Sequence, residues 1–138
     1  MQNIIILGGS GFIGKNLVEY FINKKIKIFA TYFKNPIKKN KYVKTIKCNL
    51  KNSSKVKKIL KNKNIVINCA AVTSGSHDIV NNPHIHVIDN LKMNINILDS
   101  CKDNNIEHYI FLSCTSMYHQ SKKYLSEKDF NINKINKK

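Results

Sequence analysis

Residues 3–14 read NIIILGGSGFIG, an apolar run that stops abruptly at a cluster of glycines. Asn3 to Leu7 has the continuous apolar character of a strand buried on both faces of a parallel sheet. From Phe12 to about Lys24, Ile13, Leu17, Val18, Phe21 and Ile22 recur at helical spacing, which predicts a helix. Between the two, Gly9, Gly11 and Gly14 satisfy G-x-G-x-x-G, and Gly8, Gly11 and Gly14 satisfy G-x-x-G-x-x-G. Glycine suits a chain that must turn sharply, bring backbone close to a pyrophosphate and pack a helix against a strand. The first-turn amides and the helix dipole then favour an anion. Strand, glycine turn and helix in this order predict a dinucleotide site built from Gly8, Ser10, Gly11, Phe12, Ile13 and Gly14.

The rest of the chain continues the alternation. Ile26 to Tyr32 is β-rich and reads as a second strand, followed by a lysine-rich loop from Phe33 to Lys41 containing Pro36. Tyr42 to Cys48 is a third strand. Ser53 or Ser54 is placed to cap a helix carrying Val56, Ile59 and Leu60. Ile65 to Cys69 reads as a fourth, fully buried strand. Asn82 and Pro83 offer an N-cap and a first-turn proline. The helix after them carries Ile88, Leu91, Ile95 and Leu98 on one face and ends near Asn104-Asn105. His108 to Ser113 is a fifth strand. Strands alternating with helices predict a parallel sheet with right-handed crossovers. The expected architecture is an α/β, Rossmann-type sheet of order 3-2-1-4-5 with helices on both faces, over residues 1–130. It is truncated after strand five, with a polar tail at 131–138.

Composition bounds the alternatives. The 138 residues are 42% hydrophobic, enough for one core. No apolar run approaches the ~20 residues of a membrane span, and the start lacks a basic n-region, so a cytoplasmic protein without a membrane partner is expected. Cys48, Cys69, Cys101 and Cys114 form no C-x-x-C pair and no zinc-like cluster, and the first three read as small buried thiols in a reducing compartment. His84 and His86, two apart on a helix, diverge, so no metal is expected. The net charge of +16 comes entirely from lysine, with no arginine, and the lysines are scattered. That pattern fits a solvated surface better than a specific nucleic-acid reader, which normally uses arginine.

Cofactor choice is read at the end of strand two. An NAD site usually places an acid there, about 20 residues past the glycine turn. The segment is Ala30-Thr31-Tyr32-Phe33-Lys34, with Tyr32 in the acid's place and no Asp or Glu between Glu19 and His77. Thr31 and Lys34 suit a 2′-phosphate, so NADP is expected in preference to NAD.

These residues resemble the extended short-chain dehydrogenase/reductases, the nucleotide-sugar epimerases and dehydratases, over residues 3 to about 130. GGSGFIG is similar to that family's glycine motif. Asn68-Cys69-Ala70-Ala71 resembles its motif after strand four, and Asn90 falls where the family has an Asn in the next helix. FLSCTSMYH resembles its strand-five motif, and LSEKDF its later acidic segment. The resemblance implies cofactor contacts from Asn49 and Leu50, where the family has an adenine-binding Asp, and from Ala70, Ala71 and Asn90. It implies a catalytic Ser or Thr at Cys114, with Ser113 and Thr115 as substitutes. Family chemistry also needs a Tyr-x-x-x-Lys pair on a later helix. Tyr118/Lys122 and Tyr124/Lys128 match the spacing but follow strand five too closely. The implied pair and the substrate domain fall beyond Lys138.

The expectation is therefore the NAD(P)-binding part of a nucleotide-sugar epimerase, dehydratase or reductase, inactive alone, whose sugar substrate binds only in a complete protein. The alternatives are a non-catalytic dinucleotide-binding sensor or partner subunit and, third, a basic nucleic-acid binder. His77-Asp78 lies near the expected mouth as a substrate contact or plain loop. Strand five lacks an outer neighbour, so a homo-oligomer is also expected.

Overall fold

In the computed structural model, residues 3–73, 81–82, 84–113, 118–119 and 121–134 are described. The elements run β1 (Ile4–Leu7), α1 (Phe12–Asn23), β2 (Ile28–Tyr32), β3 (Val43–Lys47), α2 (Ser53–Leu60), β4 (Ile65–Asn68), α3 (His84–Asp103) and β5 (His108–Phe111). The sheet is parallel throughout and ordered β3-β2-β1-β4-β5. This is the doubly wound arrangement expected from the alternation of strands and helices.

Side chains along β1 divide the core in two. Ile4 and Ile6 join Val18 of α1, Ile28, Ala30, Val43 and Ile67 on one face of the sheet. Ile5 and Leu7 join Val56 and Leu60 of α2 and Met93, Ile97 and Cys101 of α3 on the other. A strand that feeds both layers has no polar face, which is why residues 4–7 are apolar without alternation.

Three local expectations are corrected. The second strand starts at Ile28 rather than Ile26, because residues 25 and 26 finish α1. The Lys25 amide bonds to Ile22 O and the Ile26 amide to Phe21 O, with Lys25 at φ +57°. This is a Schellman ending, and it takes Ile26 out of the strand. Helix α2 is capped by Asn52, not by Ser53 or Ser54: Asn52 Oδ1 accepts from the Lys55 amide at 2.9 Å, and both serines are already helical. The fifth strand ends at Phe111, two residues short of Ser113.

Helix α3 brings the largest difference. Ile88, Leu91, Ile95 and Leu98 do share a face, but it points to solvent, with exposures from 49 to 67%. The face on the sheet is Met93, Ile97, Ser100 and Cys101, all buried and spaced i, i+4, i+7, i+8, also a helical pattern. It tolerates polar residues because they are bonded: Asn94 Oδ1 accepts from Asn68 Nδ2 at 3.1 Å, and Asn96 Nδ2 donates to Leu50 O at 3.1 Å. The helix ends at Asp103, and Asn105 takes the left-handed conformation (φ +51°) that closes it. Pro83 lies outside the described residues.

Candidate functional site

The carboxyl ends of β1, β2, β3 and β4 surround one cavity of about 480 Å³. It lies at the switch point where the chain leaves β1 for β2 on one side and β4 on the other, the usual ligand position in such sheets. Gly8, Ser10 and Gly11 form its floor.

The glycine turn is fixed by contacts that need its glycines. Gly8 has φ +73°, and a Cβ there would stand 2.7 Å from Ala70 Cα. The turn after β1 therefore touches the loop after β4 through backbone alone, and Ala70 keeps that approach open. At Gly14 a Cβ would lie 2.2 Å from Gly8 O and 2.8 Å from Gly9 Cα, so α1 can seat on the turn only through a glycine. Gly11 differs: the nearest atom to its Cβ position is Gly8 O at 3.3 Å, and the remaining space is open. Gly11 is also the N-cap of α1, with no capping side chain and no acid in the first turn. The first helical amides are thus left for an external acceptor, which fits a pyrophosphate.

Thr31 has a structural task within this site. It is buried; its Oγ1 accepts from the Gly8 amide at 3.0 Å and its carbonyl from the Gly9 amide at 2.7 Å. It ties β2 to the glycine turn, while the exposed Lys34 lines the cavity together with Tyr32 and Phe33.

Farther along, Asn49 Oδ1 accepts from the Lys51 amide at 3.0 Å, forming the turn that leads into α2. Leu50 is buried beside it. On the β4 side, Asn68 Oδ1 accepts from the Ala70 amide while its Nδ2 donates to Asn94 Oδ1 and Tyr109 Oη, so one buried amide joins β4, α3 and β5. Ala71 lines the cavity next to Ala70. Asn90 holds the loop after β4 at both ends of one residue: its Oδ1 accepts from the Val72 amide at 2.8 Å, and its Nδ2 donates to Val72 O at 3.0 Å. From α3 it is Asp89 and Met93 that line the cavity. Of the implied catalytic residues, Ser113 is exposed just past β5, while Cys114 and Thr115, like His77 and Asp78, lie outside the described residues.

Several cavity residues have no local sequence signal. Lys51 and Asp89, 38 positions apart, form an ion pair at 2.9 Å across its rim. Cys48 and Cys69 also line it, and burial pushes both thiols up, so they stay protonated and weakly nucleophilic. A second cavity of about 560 Å³ adjoins the first at Ser10 and Asn35 and is edged by Lys15, Glu19, Lys38 and Lys39.

Neither Tyr-x-x-x-Lys match rides on a helix that would align its two side chains. Tyr118 packs edge-on against Phe130 at 6.1 Å, and Tyr124 is fully exposed. Among the described residues of 118–134, the regular structure is two single turns of 3₁₀ helix, at Glu127–Asp129 and Ile132–Lys134.

Known proteins with this pattern agree on the family. GDP-L-colitose synthase of Yersinia pseudotuberculosis is 29% identical over 118 residues, which cover 85% of this chain and 35% of that protein. The decarboxylating sterol-4-alpha-carboxylate 3-dehydrogenase of Saccharomyces cerevisiae is 30% identical over 129 residues, 82% of this chain and 34% of that one. Among solved structures, the UDP-N-acetylglucosamine 4-epimerase from Methanobrevibacter ruminantium M1, in complex with UDP-N-acetylmuramic acid, is 27% identical. It superposes with a TM-score of 0.77 over 93% of this chain and 43% of its own. The chain thus spans about a third of the length of the curated relatives it matches. Residues 4–136 match the NAD dependent epimerase/dehydratase family, and the chain belongs to it.

Proposed function

We propose that these residues form the NAD(P)-binding part of an epimerase, dehydratase or reductase acting on a nucleotide-linked sugar, with NADP preferred to NAD. The observation that carries this reading is the combination of a Gly11 whose Cβ position meets only Gly8 O, uncapped amides of α1 and a switch-point cavity. When bound, the dinucleotide supplies hydride transfer. The chain's own residues bind and orient it: Gly8, Gly11 and the α1 amides meet the pyrophosphate, and the loops after β3 and β4 close on the adenosine half. The preference for NADP is supported by the absence of a carboxylate at residues 30–34 and by Lys34 in the cavity. Lys15, Lys38 and Lys39 in the adjoining cavity add positive potential. A cytoplasmic location fits the unpaired thiols of Cys48, Cys69 and Cys101. No helix among the described residues is long and apolar enough to cross a membrane.

The 138 residues bind cofactor without turning over, because neither tyrosine–lysine pair sits on a helix. Incubation with NADPH and GDP- or UDP-linked sugars should leave cofactor and sugar unchanged. A product from this chain alone would overturn that part of the reading. Oxidation of a sterol carboxylate by a longer chain containing these residues would overturn the substrate class instead. A second reading, a dinucleotide-binding module completed by another polypeptide, is favoured by the same placement of Tyr118 and Tyr124. The outer edge of β5, unpaired among the described residues and with Ile110 and Phe111 half exposed, also supports self-association of this chain. Light scattering should show mass rising with concentration, and a constant monomer would contradict it.

A further inference from the structure

We propose that Asp89, pinned by Lys51, reads the amino group of the cofactor's base; this rests on the cofactor reading above. Three observations carry it. The Asn49 side-chain oxygen, two residues past β3, already accepts from the Lys51 amide, which leaves one neutral lone pair there as the rival acceptor. Among the described residues lining the cavity Asp89 is the sole carboxylate, and Lys51, Asn49 and Leu50 line the same cavity. The ion pair with Lys51 uses Asp89 Oδ2, leaving Oδ1 with no hydrogen-bond partner among the described residues.

Chemistry favours this assignment. An exocyclic amine donates two hydrogens, and an ionised carboxylate is the stronger acceptor than an amide. Lys51 fixes the rotamer of Asp89 and offsets its charge, so a carboxylate can line a site meant for a diphosphate without repelling it. The pair also spans the rim from the loop after β3 to the first half of α3, where it would close over a planar ring.

The test uses the whole chain and two probes, NADPH and its hypoxanthine analogue, which has a carbonyl in place of the amine. Wild type should bind NADPH tighter by about tenfold, the scale of one hydrogen bond to a charged group. Asp89→Ala should abolish that ratio by weakening NADPH alone. Asn49→Ala should weaken both probes equally and keep the ratio. Lys51→Met, which leaves the carboxylate but frees it, should lower the ratio several-fold and covers the case in which Asp89→Ala does not fold. A ratio preserved in Asp89→Ala, or a ratio near one in wild type, would overturn the assignment and leave the cofactor reading standing. Binding of neither probe by wild type would overturn both.

Discussion

Strands β1 and β5 are both four residues long, yet their surroundings are opposite. β1 lies between β2 and β4 and feeds both cores, with Ile5, Ile6 and Leu7 at 0% exposure. Among the described residues β5 pairs with β4 alone, and its Ile110 and Phe111 are 47 and 51% exposed. The glycine turn grows from the most enclosed strand, so its geometry is over-determined by backbone contacts on three sides. The segment after β5 grows from the least enclosed one. Cofactor binding and the implied chemistry therefore rest on parts of the molecule with unequal support.

Gly14→Ala should break the supported half outright. The new Cβ would meet Gly8 O and Gly9 Cα, both backbone, at distances no side-chain rotation relieves. We expect loss of cooperative urea unfolding, a cost beyond the ~1–3 kcal/mol of ordinary overpacking. A folded Gly14→Ala protein would show that α1 is less tightly seated than its contacts imply.

The two faces of α3 offer the same contrast within one helix. Ile97→Ala removes a fully buried side chain and should cost about 2–5 kcal/mol. Leu91→Ala, on the half-exposed stripe, should cost about 0.5 kcal/mol or less. Equal losses would mean that the outer stripe is covered in solution.

A smaller effect should appear with pH. Burial pushes the Cys101 thiol from 9.0 up to about 11. The unfolded chain then loses this proton first, so the contribution is complete below pH 9 and is lost as pH rises through 11. By pH 10.5 the loss should reach about 2 kcal/mol. The measure is the difference in pH slope between wild type and Cys101→Ala. Parallel slopes would remove Cys101 from the account.

Legibility in the sequence follows the same division. The run from Asn3 to Gly14 is readable because strand, turn and helix are adjacent and each is locally consistent. The inner face of α3 is not. Counting apolar residues selects Ile88, Leu91, Ile95 and Leu98, while the sheet receives a face in which Asn94 and Ser100 stand among Met93, Ile97 and Cys101. Their suitability depends on Asn68, 26 residues before Asn94, which no local pattern reveals. Position past the glycine turn points to Thr31 and the family resemblance to Asn90, yet their side-chain hydrogen bonds go to Gly8 and Val72. The Lys51–Asp89 pair joins segments 38 residues apart and is visible only once the fold brings them together.

The central claim is that the glycine turn binds a dinucleotide, and a fluorescence titration at physiological salt tests it most directly. NADPH and NADH should be added to wild type and to Gly11→Ala, whose new methyl needs only a few tenths of an ångström from Gly8 O in the free protein but stands where the pyrophosphate must approach. The account predicts saturable binding to wild type, tighter for NADPH, and at least tenfold weaker binding to a fully folded Gly11→Ala. No binding to wild type, or equal binding to both proteins, would contradict it.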